Sequence, residues 1–144
     1  MFYAGQSRTD LRRSYADAWR KQRQGAVLSP LEAPLAAVID EHPEYHRWLE
    51  SEDGVAAEFT PEGGQSNPFL HLGMHLALRD QVTTDRPPGI RELHGRLAGR
   101  LGAHEAEHRM MEALGAALWE AQRAGRAPDE SSYLEHLRRI ASAR

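Results

Sequence analysis

The sequence contains no cysteine. Disulfide bonds, thiolate zinc sites and cysteine nucleophiles are therefore excluded. Long apolar runs are missing as well. No segment approaches the roughly 18 uninterrupted apolar residues that a membrane span requires, and the N-terminal stretch MFYAGQSRTD has no apolar run of signal-peptide length. These absences predict a cytoplasmic protein with no membrane partner.

An excess of positive charge is also absent. The 18 lysines and arginines stand against 21 aspartates and glutamates, which gives a formal net charge of −3. Because phosphate binding needs a concentrated basic surface, we expect no nucleic-acid partner. The local exception is a basic series in the first predicted helix, which we interpret as a solvated helix face rather than a docking patch: Arg12, Arg13, Arg20, Lys21 and Arg23.

The remaining composition is that of one globular domain. With 144 residues, of which 40% are hydrophobic and 27% charged, we predict a single domain over 1–144. Apolar residues recur at helical spacing and no segment shows sustained period-two alternation, which indicates an all-α protein. Short connections favour a compact antiparallel bundle of about six helices. The predicted helices cover 10–24, 29–51 with a break at residue 42, 67–84, 90–101, 103–124 and 129–141.

Helix starts and turns follow from local signals. Ser29, Pro30 and Glu32 predict a capping box at the second helix, and Asn67-Pro68 repeats the cap-plus-proline start. Asp53-Gly54 predicts a turn within one longer irregular loop near 53–66. The role of Glu62-Gly63-Gly64 in that loop is open. Three tryptophans lie on apolar faces and are expected in the core: Trp19, Trp48 and Trp119.

Histidine carries the only visible chemistry. Six of the eight histidines form three pairs at i, i+4 spacing: His42 and His46, His71 and His75, His104 and His108. Random placement would give about 0.4 such pairs. Side chains at i and i+4 lie one above the other on a helix face, so each pair can bind one ion and a facing helix can add two ligands.

We therefore predict a metal site made of His71, His75, His104 and His108. Its cofactor would be a divalent transition metal (zinc, iron or nickel), since these ions suit imidazole ligands. His42 is expected to act as a cap beside the proline, with its side chain turned elsewhere, and His46 is an optional fifth ligand. The competing interpretation is that the histidines only pack and form hydrogen bonds.

The segment His104–His108 also satisfies the H-E-x-x-H pattern, in which a glutamate activates a metal-bound water. We interpret Glu105 and Glu107 as solvated charges and do not favour a peptidase. Carboxylates from Glu107 or Glu62 are too few for a di-metal bundle, so a mononuclear, histidine-rich site is expected. By fold-level analogy, this suggests a metal-dependent hydrolase or transferase. The alternative is a non-catalytic protein-interaction module without metal, with a protein partner or self-association.

Several motifs are familiar together. They are TPEGGQSNPFLHLGMH at 60–75, DRPPGIR at 85–91, AWRKQRQG at 18–25, HPEYH at 42–46 and LWEAQRAG at 118–125. In these segments the chain resembles a family of proteobacterial proteins catalogued as domain of unknown function 1841. The resemblance covers nearly the whole chain and implies a bacterial, cytoplasmic context. It carries no established activity, and it places His71 and His75 inside the family's most recognisable motif.

Overall fold

The computed structural model of the protein describes residues 8–57 and 67–143. In these ranges all regular structure is helical, which confirms the all-α prediction. Residues 8–57 and 67–143 form eight α-helices, two more than expected. They are α1 Arg8–Arg23, α2 Glu32–Asp40, α3 His46–Leu49, α4 Glu52–Ala56, α5 Pro68–Thr84, α6 Ile90–Leu101, α7 Ala103–Ala124 and α8 Glu130–Ser142, with a short 3-10 helix at Pro43–Tyr45.

The capping hydrogen bonds predicted at the two helix starts are present, although α2 itself begins at Glu32 and not at Pro30. The Glu32 amide donates to Ser29 Oγ at 3.2 Å, and the Ser29 amide donates to Glu32 Oε1 at 2.9 Å. This reciprocal pair is a capping box. At α5, Asn67 Oδ1 accepts from the amides of Phe69 and Leu70 at 2.9 and 3.2 Å. Both caps satisfy amide groups that have no partner within the helix.

The predicted turn at Asp53-Gly54 is wrong, because both residues lie in α4. Ser51 caps this helix, its Oγ accepting from the Gly54 amide at 3.0 Å. Gly54 is needed for packing rather than for a turn: a Cβ there would lie 2.7 Å from the Trp48 Cα. The predicted loop is also wrong at residues 55–56, which belong to α4, whereas residues 58–66, including Glu62-Gly63-Gly64, lie outside the described residues.

The chain divides into two compact units, Met1–Leu76 and Ala77–Arg144, and the division falls inside α5. The single domain over 1–144 stays a prediction. In the first unit, α1 packs against α2 and α4. The core of this unit consists of Trp19, Val38, Ile39, Leu49, Phe69 and Leu72. Trp48 is partly buried against it.

The basic series of α1 is only partly a solvated face. Arg12 is buried and donates to the carbonyl oxygens of Val55 and Ala57 at 3.0 and 2.6 Å. The interpretation of Arg12 as a surface residue is therefore wrong. A buried guanidinium needs hydrogen-bond acceptors within the protein, and the two carbonyl oxygens supply them. The other four side chains form ion pairs: Arg13 with Glu52, Arg20 with Asp17, Lys21 with Glu32, and Arg23 with Glu50.

In the second unit, α6, α7 and α8 pack against one another. Leu97, Met110 and Leu137 are fully buried there. The expected core position of Trp119 is wrong, because its side chain is 59% exposed and lies beneath the Arg123 guanidinium, 4.7 Å from the ring centre. Trp119 lies two residues before the buried Ala121. Two residues correspond to about 200° around the helix, so the two side chains lie on opposite faces of α7.

The sequence also predicts that no segment spans a membrane. Over 8–57 and 67–143, no helix combines the length and the hydropathy needed to cross a bilayer.

Candidate metal centre

His42 lies at the end of α2, where Pro43 stops the helix. Its side chain is 2% exposed and makes no capping hydrogen bond. Instead Nδ1 bonds the Val38 carbonyl oxygen at 2.8 Å. Because a carbonyl oxygen only accepts, Nδ1 carries the proton and Nε2 carries the lone pair that a metal binds. The expectation that this side chain turns elsewhere is wrong.

His71 and His75 lie one turn apart on α5, behind the Asn67 cap. His75 is fully buried and His71 is half-buried. Their Nε2 atoms lie 3.1 Å apart. Two nitrogens bound to one tetrahedral zinc at 2.0–2.1 Å would lie about 3.3 Å apart. The observed separation is therefore close to that of two ligands of one ion.

These three histidines of the first unit come together. The ring centre of His42 lies 4.6 Å from that of His75 and 5.2 Å from that of His71, and the latter two are 4.7 Å apart. One ring nitrogen of each lies within 4.8 Å of the others. Imidazole ligands contributed by two different elements and gathered in this way suit zinc, iron, nickel or copper.

His46 does not extend this group. Its Nε2 bonds the Ile39 carbonyl oxygen at 2.9 Å, and its ring lies 4.3 Å from the Trp19 ring. The nitrogen that faces a carbonyl must carry a proton, so only Nδ1 of His46 is left as a possible ligand atom. His46 is not among the histidines whose ring nitrogens lie within 4.8 Å of one another, so the geometry does not support it as an optional ligand. Of His42 and His46, it is His42, the residue next to Pro43, that lies with His71 and His75.

Tyr45 lies beside two of the three histidines. Its ring is parallel to that of His42 within 6°, with 5.6 Å between the ring centres. It meets the His71 ring edge-on, at 71° and 5.7 Å. Burial raises the pKa of the Tyr45 phenol, and the neighbouring Glu44 raises it further. The phenol is therefore neutral at physiological pH.

His104 and His108 form their own pair in the second unit. They lie one turn apart on α7 with ring centres 4.3 Å apart, His104 exposed and His108 half-buried. The site made of His71, His75, His104 and His108 remains a prediction.

Both glutamates of the segment His104–His108 are paired with arginines. Glu105 binds Arg109 at 3.2 Å on the surface, as expected of a solvated charge. Glu107 is different, because its side chain is only 12% exposed and both oxygens accept from the Arg79 Nε at 3.1 and 3.2 Å. The Arg79 guanidinium therefore engages both oxygens of this carboxylate.

Sequence reasoning missed His42, although a signal was present. The buried residues Val38 and Ile39 precede it by four and three positions, so His42 continues the buried stripe of α2. The prediction of a cap rested only on the effect of Pro43 on the backbone. The buried stripe of α2 instead predicts that the His42 imidazole lies on the buried side of the helix.

Comparison with known proteins places the chain in a family without giving it an activity. No curated protein and no solved structure matches it. The family described as Domain of unknown function (DUF1841) matches residues 7–139, nearly the whole chain, and the protein belongs to that family.

Proposed function

We propose that the protein binds one divalent transition-metal ion through His42, His71 and His75. The observation that carries the proposal is the gathering of three imidazoles, two of them buried, with ring nitrogens within 4.8 Å of one another. Burying imidazoles costs free energy that apolar residues at the same positions would not cost. A metal that binds only the folded state offsets this cost.

The sequence prediction also names His104 and His108 as ligands, and each is a candidate for the fourth position. The number of ligands decides what the ion can do. Structural zinc sites are closed by four protein ligands, whereas catalytic sites keep one position for water or substrate. If His104 or His108 binds the ion, the site has a structural or sensory role. If neither does, three imidazoles leave a Lewis-acidic position of the kind that metal-dependent hydrolases and transferases use.

The primary test is the metal content of untagged protein purified without chelators. We expect about one zinc, iron or nickel ion per chain by elemental analysis, and its loss in His75→Ala. His94→Ala is the matched control, because His94 is a half-buried histidine on α6. Wild-type protein that neither retains a metal nor takes one up on reconstitution more tightly than His75→Ala contradicts the proposal.

The fourth ligand is tested by His104→Ala and His108→Ala in the same assay. Loss of affinity in His108→Ala alone supports a closed site with His108. Unchanged affinity in both variants leaves the three-histidine site and removes the α7 pair from it. In that case, exchange of a coordinated water can be measured on the metal-loaded protein.

The second candidate is a non-catalytic interaction module without metal. Leu118 and Trp119, adjacent on α7 and 45% and 59% exposed, are the observation that favours it. It predicts metal-free protein whose melting temperature does not respond to a chelator. Cytoplasmic location and bacterial origin remain predictions of the sequence.

A further inference from the structure

We infer that Tyr45 is a positioning residue of the metal centre: its ring holds the imidazoles of His42 and His71 in the orientation in which they bind the ion. This inference rests on the proposed function. Tyr45 itself is assigned no bond to the metal.

The Tyr45 side chain contacts two of the proposed ligands, which come from two different elements. Tyr45 ends the 3-10 helix that follows α2, and its amide donates to the His42 carbonyl oxygen at 3.0 Å. Its ring lies parallel to that of His42 and edge-on to that of His71, which belongs to α5. Rotation of either imidazole about its side-chain bonds would therefore change its contact with Tyr45.

Tyr45 complements the hydrogen bond from His42 to Val38. That bond fixes which nitrogen of His42 carries the proton, but one hydrogen bond leaves the ring able to swing about it. Contact with an aromatic face restricts this movement. Outer contacts that orient metal-bound histidines commonly change metal affinity by about 10–100-fold when they are removed.

Tyr45 also limits the access of water to the proposed ion. His42 and His75 are buried, whereas His71 and Tyr45 are half-buried. The solvent-facing edge of this group therefore includes the Tyr45 ring. Removing the ring should expose the ligands to water and accelerate metal release as well as weaken binding.

The experiment uses the full chain loaded with Co²⁺, whose ligand-field absorption reports ligand geometry. The variants are Tyr45→Leu, Tyr45→Phe and Tyr15→Leu. Tyr15 is the matched control, since it packs in the same core, edge-on to Phe69 with ring centres 6.1 Å apart. Tyr45→Met, which keeps an unbranched apolar side chain, replaces Tyr45→Leu if that variant does not fold.

We expect Tyr45→Leu to lower Co²⁺ affinity by about 10–100-fold, to speed release to excess chelator, and to shift the absorption bands. Tyr45→Phe should restore all three, because the ring and not the hydroxyl makes the contacts. Tyr15→Leu should lower stability without moving the spectrum.

Two outcomes separate the inference from the function beneath it. Wild-type protein that gives no ligand-field spectrum overturns the metal site itself. Wild-type binding together with unchanged affinity, release rate and spectrum in Tyr45→Leu overturns only the role of Tyr45.

Discussion

The Nδ1 of His42 donates a 2.8 Å hydrogen bond to the carbonyl oxygen of Val38, one helical turn earlier in the chain. Four residues after His42, the Nε2 of His46 donates in the same way to Ile39, at 2.9 Å. The two bonds use opposite nitrogens of the ring. His42 therefore presents Nε2 to its neighbours His71 and His75, whereas His46 uses Nε2 against the backbone.

This difference predicts opposite responses to metal in two variants of one i, i+4 pair. Saturating zinc, at about 100 times its dissociation constant, should stabilise the wild type by about 2.7 kcal/mol and raise its melting temperature by roughly 5–10 °C. His42→Ala should lose this increase, because it lacks a ligand. His46→Ala should keep it even where its baseline melting temperature falls. Differential scanning calorimetry with zinc and with chelator measures both, and an equal zinc response in the two variants contradicts the assignment of ligands.

The sequence predicts helices best where both ends carry their own chemistry. The observed bounds of α7, Ala103–Ala124, agree with the prediction because a glycine stands at each side. Gly125 adopts φ +66°, a left-handed conformation that ends the helix at low cost for glycine. Asn67 and Pro68 fix the start of α5 equally well, so His71 and His75 could be placed on one face from spacing alone.

The sequence fails where a tertiary contact decides the structure. Gly54 has the local signature of a turn, but its lack of a side chain serves the close approach to Trp48 inside a helix. His42 was missed for a different reason. The cap prediction rested on Pro43 alone and overlooked the buried stripe of Val38 and Ile39, which His42 continues.

The close approach of Gly54 to the Trp48 backbone predicts that Gly54→Ala lowers stability. The added methyl group would overlap the Trp48 backbone, which cannot move as a flexible side chain would. We expect a loss of about 1–3 kcal/mol in the free energy of unfolding, from overpacking. Gly99→Ala is the matched control: this residue lies in α6 with nothing within 4 Å of an added Cβ. It should gain about 0.5–1 kcal/mol, as alanine does over glycine inside a helix. Urea denaturation of the two variants gives both values, and a neutral Gly54→Ala would contradict the contact.

Substitutions of the two glutamates in the segment His104–His108 are predicted to differ in their effect on the free energy of unfolding but not in their effect on metal binding. Glu107→Gln should lower the free energy of unfolding by about 1–3 kcal/mol, because it weakens a largely buried pair with Arg79 and leaves the guanidinium poorly compensated. Glu105→Gln breaks only an exposed pair and should cost less than about 0.5 kcal/mol.

Both variants should keep the metal content of the wild type, since neither glutamate is proposed as a ligand. Denaturation and elemental analysis on the same preparations test the two statements together. Loss of the ion in Glu107→Gln at unchanged stability would instead make Glu107 part of the metal centre.

The capping box of α2 predicts a defined response to acid. Hydrogen bonds from Lys21 and then from Ser29 lower the pKa of Glu32 from 4.5 to about 2. Because the folded-state pKa is the lower one, the unfolded chain takes up a proton first as the pH falls. The stabilising contribution of ionised Glu32 is therefore complete above about pH 5 and is lost progressively as the pH approaches 2.

In Glu32→Gln the side chain cannot ionise, although its amide oxygen can still accept from the Ser29 amide. All other carboxylates are shared, so the difference in unfolding free energy between wild type and Glu32→Gln isolates this one group. Denaturant titrations at pH 6, 4 and 3 should show the wild-type advantage shrinking with each step, and an advantage that stays constant or grows on acidification would contradict the Lys21–Glu32 pair.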